Sequence, residues 1–230
     1  MRRNIFLPKM ATKVVSDSAK RIEEELKNDH FRVAIFGSAR IRTGDYRYDR
    51  VFHLAKNIAY QNIDIITGGG PGIMEAANAG HHAGRNGEES HSIGMTIHLP
   101  FEEYVNRHLD IHHHFERFSD RLDHFMALSH VVVVISGGIG TCLELFYTWQ
   151  LTQVKHMCKI PIILYGEMWE GLYKWIENEP LKNGFISPKD MENIYIAKKN
   201  QDVIRVIKEY QERFLDPNDD SCKKKYILDD

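Results

Sequence analysis

Val131-Val132-Val133-Val134-Ile135-Ser136-Gly137-Gly138-Ile139-Gly140-Thr141-Cys142-Leu143-Glu144 runs from a β-branched apolar block, through a glycine turn, into a helix-forming stretch. A second stretch of the same design precedes it: Ile63-Asp64-Ile65-Ile66-Thr67-Gly68-Gly69-Gly70-Pro71-Gly72-Ile73-Met74-Glu75. Glycine at a strand-to-helix junction lets the backbone approach a ligand closely. The helix start behind it offers free N–H groups and a partial positive charge. Two such junctions in one chain of 230 residues point to a nucleotide phosphate site.

Outward from these turns, strands and helices alternate. Short apolar strands are expected at Arg32–Phe36, Ile63–Thr67, Ser92–Leu99, Leu109–His114, Val131–Ile135, Ile160–Tyr165 and Ile194–Ala197. Helical periodicity marks Ser16–Asn28, Tyr48–Tyr60, Pro71–Ala83, Phe115–Leu128, Ile139–Val154, Met168–Asn178 and Gln201–Phe214. In the fourth of these, Phe118, Leu122, Phe125 and Met126 mark an apolar face. Pro71 suits a first helical turn. Strands alternating with helices require right-handed crossovers, so the expected fold is α/β: a doubly wound, mostly parallel, Rossmann-like sheet in three α/β/α layers. Residues 1–215 are expected to form one nucleotide-binding domain with an N-terminal helix. Residues 216–230, which include Pro-Asn-Asp-Asp-Ser and Lys-Lys-Lys, read as a mobile polar tail.

Composition narrows the function classes. The net charge of −2 gives no global electrostatic case for DNA or RNA. No run approaches the roughly 18 apolar residues of a membrane helix, and the apolar part of the N-terminus is too short for a signal peptide. Cys142, Cys158 and Cys222 have no paired or CxxC spacing, which favours a reducing, cytoplasmic setting. A dinucleotide fingerprint needs G-x-G-x-x-G after the first strand. Here that strand ends in Gly37-Ser38-Ala39-Arg40, while Gly70-Pro71-Gly72 and Gly138-Ile139-Gly140 lead to Glu75 and Leu143 where a third glycine should stand. The phosphate-loop pattern G-x-x-x-x-G-K-[ST] is absent as well. A mononucleotide in the strand-end crevice remains.

The block Gly137-Gly138-Ile139-Gly140-Thr141-Cys142-Leu143-Glu144 resembles the P-G-G-x-G-T-x-x-E signature of the LOG ("lonely guy") proteins, long labelled "possible lysine decarboxylase". Gly68-Gly69-Gly70-Pro71-Gly72-Ile73-Met74 and Ser92-Ile93-Gly94-Met95-Thr96-Ile97-His98-Leu99-Pro100 extend the similarity, which runs from about Val33 to Trp175. The resemblance implies a phosphoribohydrolase that cleaves nucleoside 5′-monophosphates, AMP-like or cytokinin-type, to free base and ribose 5-phosphate. It implies catalytic roles for Glu144 and for Arg121, fifteen residues before the signature's first position. It also implies a homodimer with the helices around Arg121 and Tyr147 near its interface. Two departures stand out: Ser136 replaces the signature proline, and Leu122 replaces the lysine that usually follows the arginine.

The chemistry asks for negative charge near the anomeric carbon, a positioned water and stabilisation of the departing base. Glu144 suits the first two, although Thr141-x-x-Glu144 also has the spacing of a capping box. Arg121 is too basic to donate a proton easily, so its role is orientation or charge stabilisation. Its bland alternative is a surface ion pair with Glu116 or Asp120. The phosphate is expected over Gly137, Gly138, Ile139, Gly140 and Thr141, with Gly37, Ser38, Gly69 and Gly70 closing around the nucleotide. The alternative for the Gly68–Gly72 turn is tight helix–sheet packing. Met95 reads as base pocket or core. His112-His113-His114 are consecutive, so neighbouring side chains alternate between faces, and no metal or other cofactor is expected. No lysine stands in a recognisable Schiff-base context. The rival to an enzyme is a non-catalytic nucleotide- or cofactor-binding carrier on the same fold.

Overall fold

The computed structural model describes residues 24, 25, 27, 28, 30–87, 90–97, 104–219 and 226. Seven strands form one sheet: β1 (Arg32–Phe36), β2 (Asp64–Thr67), β3 (Ser92–Ile97), β4 (Ile111–Phe115), β5 (Val131–Val134), β6 (Ile162–Tyr165) and β7 (Ile194–Ala197). Among the described residues six α-helices connect or follow them: α1 (Tyr46–Ala59), α2 (Ile73–Gly84), α3 (Phe118–Leu128), α4 (Ile139–Gln153), α5 (Met168–Ile176) and α6 (Asn200–Leu215). The strand order is β4-β3-β2-β1-β5-β6-β7. Each neighbouring pair is parallel, so the sheet is parallel throughout rather than mostly so.

The β-branched runs form strands because both sides of the sheet are covered. All residues of β1, β2, β5 and β6 are buried. Alternate residues feed two cores, as the period of two demands. Ala34, Phe36, Val132 and Val134 join Phe125 of α3, Leu145 and Trp149 of α4 and Trp169 of α5. Val33, Ile35, Val131 and Val133 join Leu54 of α1, Ile73 of α2 and Val203 of α6. That division is the expected three-layer arrangement.

Several local expectations need correction. Pro71 does not enter a helical turn, because Gly72 is the N-cap of α2 with φ of 72°. A side chain at Gly72 would run into the backbone of Ser38 and Ala39, and Ile73 N–H donates to Ser38 O at 3.0 Å, which joins the ends of β1 and β2. Phe115 ends β4 rather than starting a helix. Phe118 is 50% exposed and leaves the apolar face of α3, while Leu122, Phe125 and Met126 keep it. The N-terminal helix expected at 16–28 and most of the 216–230 segment lie outside the described residues. Of the latter, Tyr226 donates to Asp123 Oδ1 at 2.8 Å on α3. Cys142 is a free thiol, whereas Cys158 is disulfide-bonded despite the unpaired spacing of the cysteines.

Helices α1 and α2 pack closely because α2 presents glycine at the crossing. A Cβ at Gly80 would overlap the carbonyl of Phe52, and one at Gly84 that of Lys56. Backbone cannot retreat as a flexible side chain can. Gly80→Ala is therefore expected to destabilise the fold by roughly 2–4 kcal/mol. Gly171, inside α5 with nothing within 4 Å of an added Cβ, gains roughly 0.5–1 kcal/mol from the same change. Urea denaturation of the two variants measures both signs.

Candidate active site

Pairing of β1 with β5 places the carboxyl ends of these strands side by side, with α2 and α4 on opposite faces of the sheet. A crevice at such a reversal of strand order is where ligands bind in open α/β sheets. Here it is a cavity of about 670 Å³. Gly37, Ser38, Gly70, Gly138, Ile139, Gly140, Thr141, Arg121 and Glu144, all singled out by sequence, line it. Gly69 and Gly137 do not. Gly69 stands behind the wall, donating N–H to Thr67 Oγ1 at 3.0 Å, and Gly137 packs against the Thr141 side chain.

The first turn of α4 is open to the cavity. Gly138 is its N-cap, and no side chain caps the helix. Thr141 and Glu144 both lie inside α4, and the bond that Glu144 makes along the helix is at its carbonyl, which accepts from Thr148 Oγ1 at 2.8 Å. The capping-box reading is thus overturned, because the N-cap is Gly138, three residues before Thr141. Without a capping carboxylate, the N–H groups and the positive end of the dipole are available to an anion.

Arg121 is 9% exposed and does not make the surface pair that spacing allowed; Asp120 is met by Arg117 Nε at 3.9 Å. Arg121 Nε donates to Met95 O at 2.8 Å. Its guanidinium lies over the Phe125 ring at 5.1 Å, and Nη2 is 3.5 Å from Glu144 Oε1. A Cβ on Gly68 would sit 2.6 Å from that same Nη2. A side chain at Gly68 would displace that nitrogen, so the glycine leaves the room in which Arg121 reaches Glu144. Met95 itself is fully buried and belongs to the core, serving the site through its carbonyl. Burial pushes the Glu144 carboxyl up to about 7, with Arg121 opposing.

A buried polar network fixes the Gly68–Gly72 turn. Thr67 Oγ1 donates to Asn78 Oδ1 at 2.8 Å, and Asn78 Nδ2 donates to Ser92 Oγ at 2.7 Å. Asn106 donates its N–H to Gly69 O at 2.9 Å and its Nδ2 to Gly70 O at 3.1 Å. Sequence reading missed Asn78 and Asn106, whose partners are non-local. It also missed Arg40, Thr96, Tyr104, His114 and Phe118, which complete the cavity wall. Their spacing gives no signal: Phe118 keeps the i, i+4, i+7 step of Leu122 and Phe125, and only the fold shows it exposed.

Among the described residues one set of ligand-type atoms converges, on Glu25, His30, Asp64 and His91, within 4.8 Å of one another. Arg32 occupies it, with Nη2 at 2.7 Å from Glu25 Oε2 and Nε at 3.5 Å from Asp64 Oδ2. The cluster has its own cation. It also stands at the first residues of β1 and β2, the opposite end of the sheet from the cavity.

Residues 74–207 match the family described as "Possible lysine decarboxylase". The chain belongs to that family. Among its relatives is the "Pyrimidine/purine nucleotide 5′-monophosphate nucleosidase" of Escherichia coli (strain K12), 32% identical over 123 residues. That match takes in 50% of this chain and 26% of the relative, so the chain spans about a quarter of the curated nucleosidase's length. A second family relative, "Cytokinin riboside 5′-monophosphate phosphoribohydrolase LOG7" of Arabidopsis thaliana, is 27% identical over 205 residues, covering 83% of this chain and 87% of its own. Two solved structures share the fold. The molybdenum cofactor binding protein of Rippkaea orientalis has a TM-score of 0.58 at 20% identity, covering 78% of this chain and 94% of its own. The molybdenum cofactor carrier protein of Chlamydomonas reinhardtii has 0.56 at 18%, covering 80% and 99%.

The position of Glu144 has a measurable consequence for stability. Its folded-state pKa is raised to about 7 from an ordinary 4.5, so folding favours the protonated acid. With respect to this group, stability is full below pH 4.5 and falls as pH rises to 7, by on the order of 3 kcal/mol. Glu144→Gln keeps the neutral shape. At pH 8 it is expected to be the more stable protein by on the order of 2–3 kcal/mol, with the gap closing near pH 4. Denaturation curves at the two pH values test this, and a gap independent of pH contradicts it.

Proposed function

We propose that the chain is a nucleoside 5′-monophosphate phosphoribohydrolase, which hydrolyses the N-glycosidic bond to free base and ribose 5-phosphate. The observation that carries this reading is the Arg121–Glu144 pair, buried at 3.5 Å in a cavity beside an uncapped helix start. The phosphate takes the first turn of α4, where Gly138, Gly140 and the Thr141 hydroxyl leave room and donors. The ribose then lies against Glu144. As the C1′–N bond lengthens, its electron pair leaves with the base and positive charge develops on the sugar. Ionised Glu144 stabilises that charge and takes a proton from the water that attacks C1′. A pKa near 7 suits a base that works at neutral pH. Arg121 holds Glu144 in place and neutralises it between turnovers. The names of the two relatives support the substrate class, and the choice among AMP-like and cytokinin-type bases belongs to the same proposal.

The reading treats residues 1–215 as one domain with a 216–230 tail, acting in the cytoplasm without a cofactor. It also takes the enzyme as a homodimer. Ile139, Leu143 and Phe146 of α4 are 87, 45 and 42% exposed, and their spacing puts them on one helical face. Among the described residues no helix is long and apolar enough to cross a membrane; the reading gives that face to a second copy. The second reading is a carrier, which the names of the two structural neighbours favour. A carrier has no need for a buried carboxylate held near neutrality against an arginine.

Incubation with AMP is expected to yield adenine and ribose 5-phosphate in equal amounts. The rate should rise about tenfold per pH unit toward pH 7, as the basic form of Glu144 fills. Glu144→Gln should bind AMP and release no adenine. Binding of every monophosphate by the wild type without base release would establish the carrier instead.

A further inference from the structure

The reading above leaves one step without a residue. A neutral purine departs poorly unless a ring nitrogen is protonated, and neither Arg121, which keeps its proton, nor Glu144, engaged with the water, supplies one. The triple histidine of β4 has no part so far. His113 turns away, packing on Phe115 at 4.4 Å and stacking with His124 at 6.4 Å. His112 and His114 share the other side, where both meet the Thr96 hydroxyl, at 2.7 Å from His112 Nε2 and 3.2 Å from His114 Nδ1. Thr96 pairs with His114 in the β3–β4 register, and both of these residues line the cavity.

The order of the strands places this pair relative to the nucleotide. The phosphate end of the cavity lies by β1 and β5, and Arg121 reaches across to Met95 of β3. A nucleotide laid from α4 past Arg121 and Glu144 puts its base toward the β3–β4 edge. That edge stands two to three strand spacings, about 10–14 Å, from β1. The wall there is Thr96, His114 and the half-exposed rings of Tyr104 and Phe118. Aromatic faces suit a flat base, and a histidine suits proton transfer to its ring nitrogen near neutral pH.

We infer that His114 is the acid of the reaction: as the imidazolium it protonates a ring nitrogen of the departing base from Nε2, while its Nδ1–H donates to Thr96 Oγ1. This rests on the reading of the cavity as an N-glycosidase site. The C1′–N electron pair goes to the base, the Nε2 proton goes to a base nitrogen, and the water oxygen bonds C1′ while its proton goes to Glu144. Glu144 then returns its proton to solvent and His114 takes one up. The other titratable or charged groups around His114 are His112 on its own strand and, along the cavity wall, Arg121, Tyr104, Arg40 and Glu144.

The test compares His114→Gln with the wild type on AMP and on nicotinamide mononucleotide, whose base is already cationic and leaves without a proton. The expected result is a loss of about 100-fold or more in kcat on AMP, with less than a fewfold loss on nicotinamide mononucleotide. The alkaline limb of the AMP pH profile should also disappear. Equal losses on both substrates, or no loss on AMP, overturn the assignment. Should the wild type cleave AMP but not the cationic nucleotide, persistence of the alkaline limb in His114→Gln overturns it and disappearance supports it. Wild-type protein that releases no base from any monophosphate refutes the N-glycosidase reading itself, a result distinct from failure of the His114 role.

Discussion

Everything at the cavity depends on the pairing of β1 with β5. After building β1 to β4 in one direction, the chain returns to the free side of β1 and continues outward to β7. Right-handed crossovers then force α1 and α2 to one face and α3 and α4 to the other. At the carboxyl ends of β1 and β5 the two connections part and leave a crevice. Ser38 N–H donates to Ser136 O at 3.1 Å across that opening, so the loops that leave the two strands are tied at their roots. Ser136, which stands where the family signature has proline, serves this bond with its carbonyl. A proline has the same carbonyl, which explains why the departure leaves the turn in place.

Arg121 ties the crevice to the second glycine turn. Three constraints meet on its guanidinium: the Met95 carbonyl, the bare edge of Gly68 and the Glu144 carboxylate. Each comes from a different element, so the position of the arginine reports on β2, β3 and α4 together. The turn that carries Gly68 is in turn held from behind by Thr67, Asn78 and Asn106. Buried amides of this kind are costly unless satisfied; here they bond to one another and to the turn's own carbonyls. The glycines make room, while the polar network fixes the room's shape.

This division explains what could be read from the chain. The strand runs and the alternation with helices are properties of neighbouring residues, and they gave the layer order. Boundaries slipped where a tertiary bond decided them, as at Pro71, which the contact of Gly72 with Ser38 excludes from the helix. Thr141-x-x-Glu144 has capping spacing, yet the N-cap is already Gly138, and spacing alone cannot say where a helix starts. Motif residues at the α4 turn were legible because they are contiguous. Thr96 and His114 were not, because the pairing of β3 with β4 brings them to the cavity, and neither was Asn106, whose loop returns to the Gly69 carbonyl behind it.

The electrostatics of Glu144 are what the proposed hydrolysis uses and simple retention does not need. A site built only to hold an anionic nucleotide gains from cations and helix N-termini, and loses from any carboxylate nearby. Placing Glu144 in that site costs stability at neutral pH, as its raised pKa shows, and repels a phosphate. Arg121 offsets part of that cost but is itself drawn out of water, so the pair is poor value as a structural device. It makes sense where negative charge is needed at one point and one moment, when the sugar becomes cationic. In the proposed reaction the phosphate is held by the start of α4, and the carboxylate stands one turn further along the helix, where the sugar would become cationic.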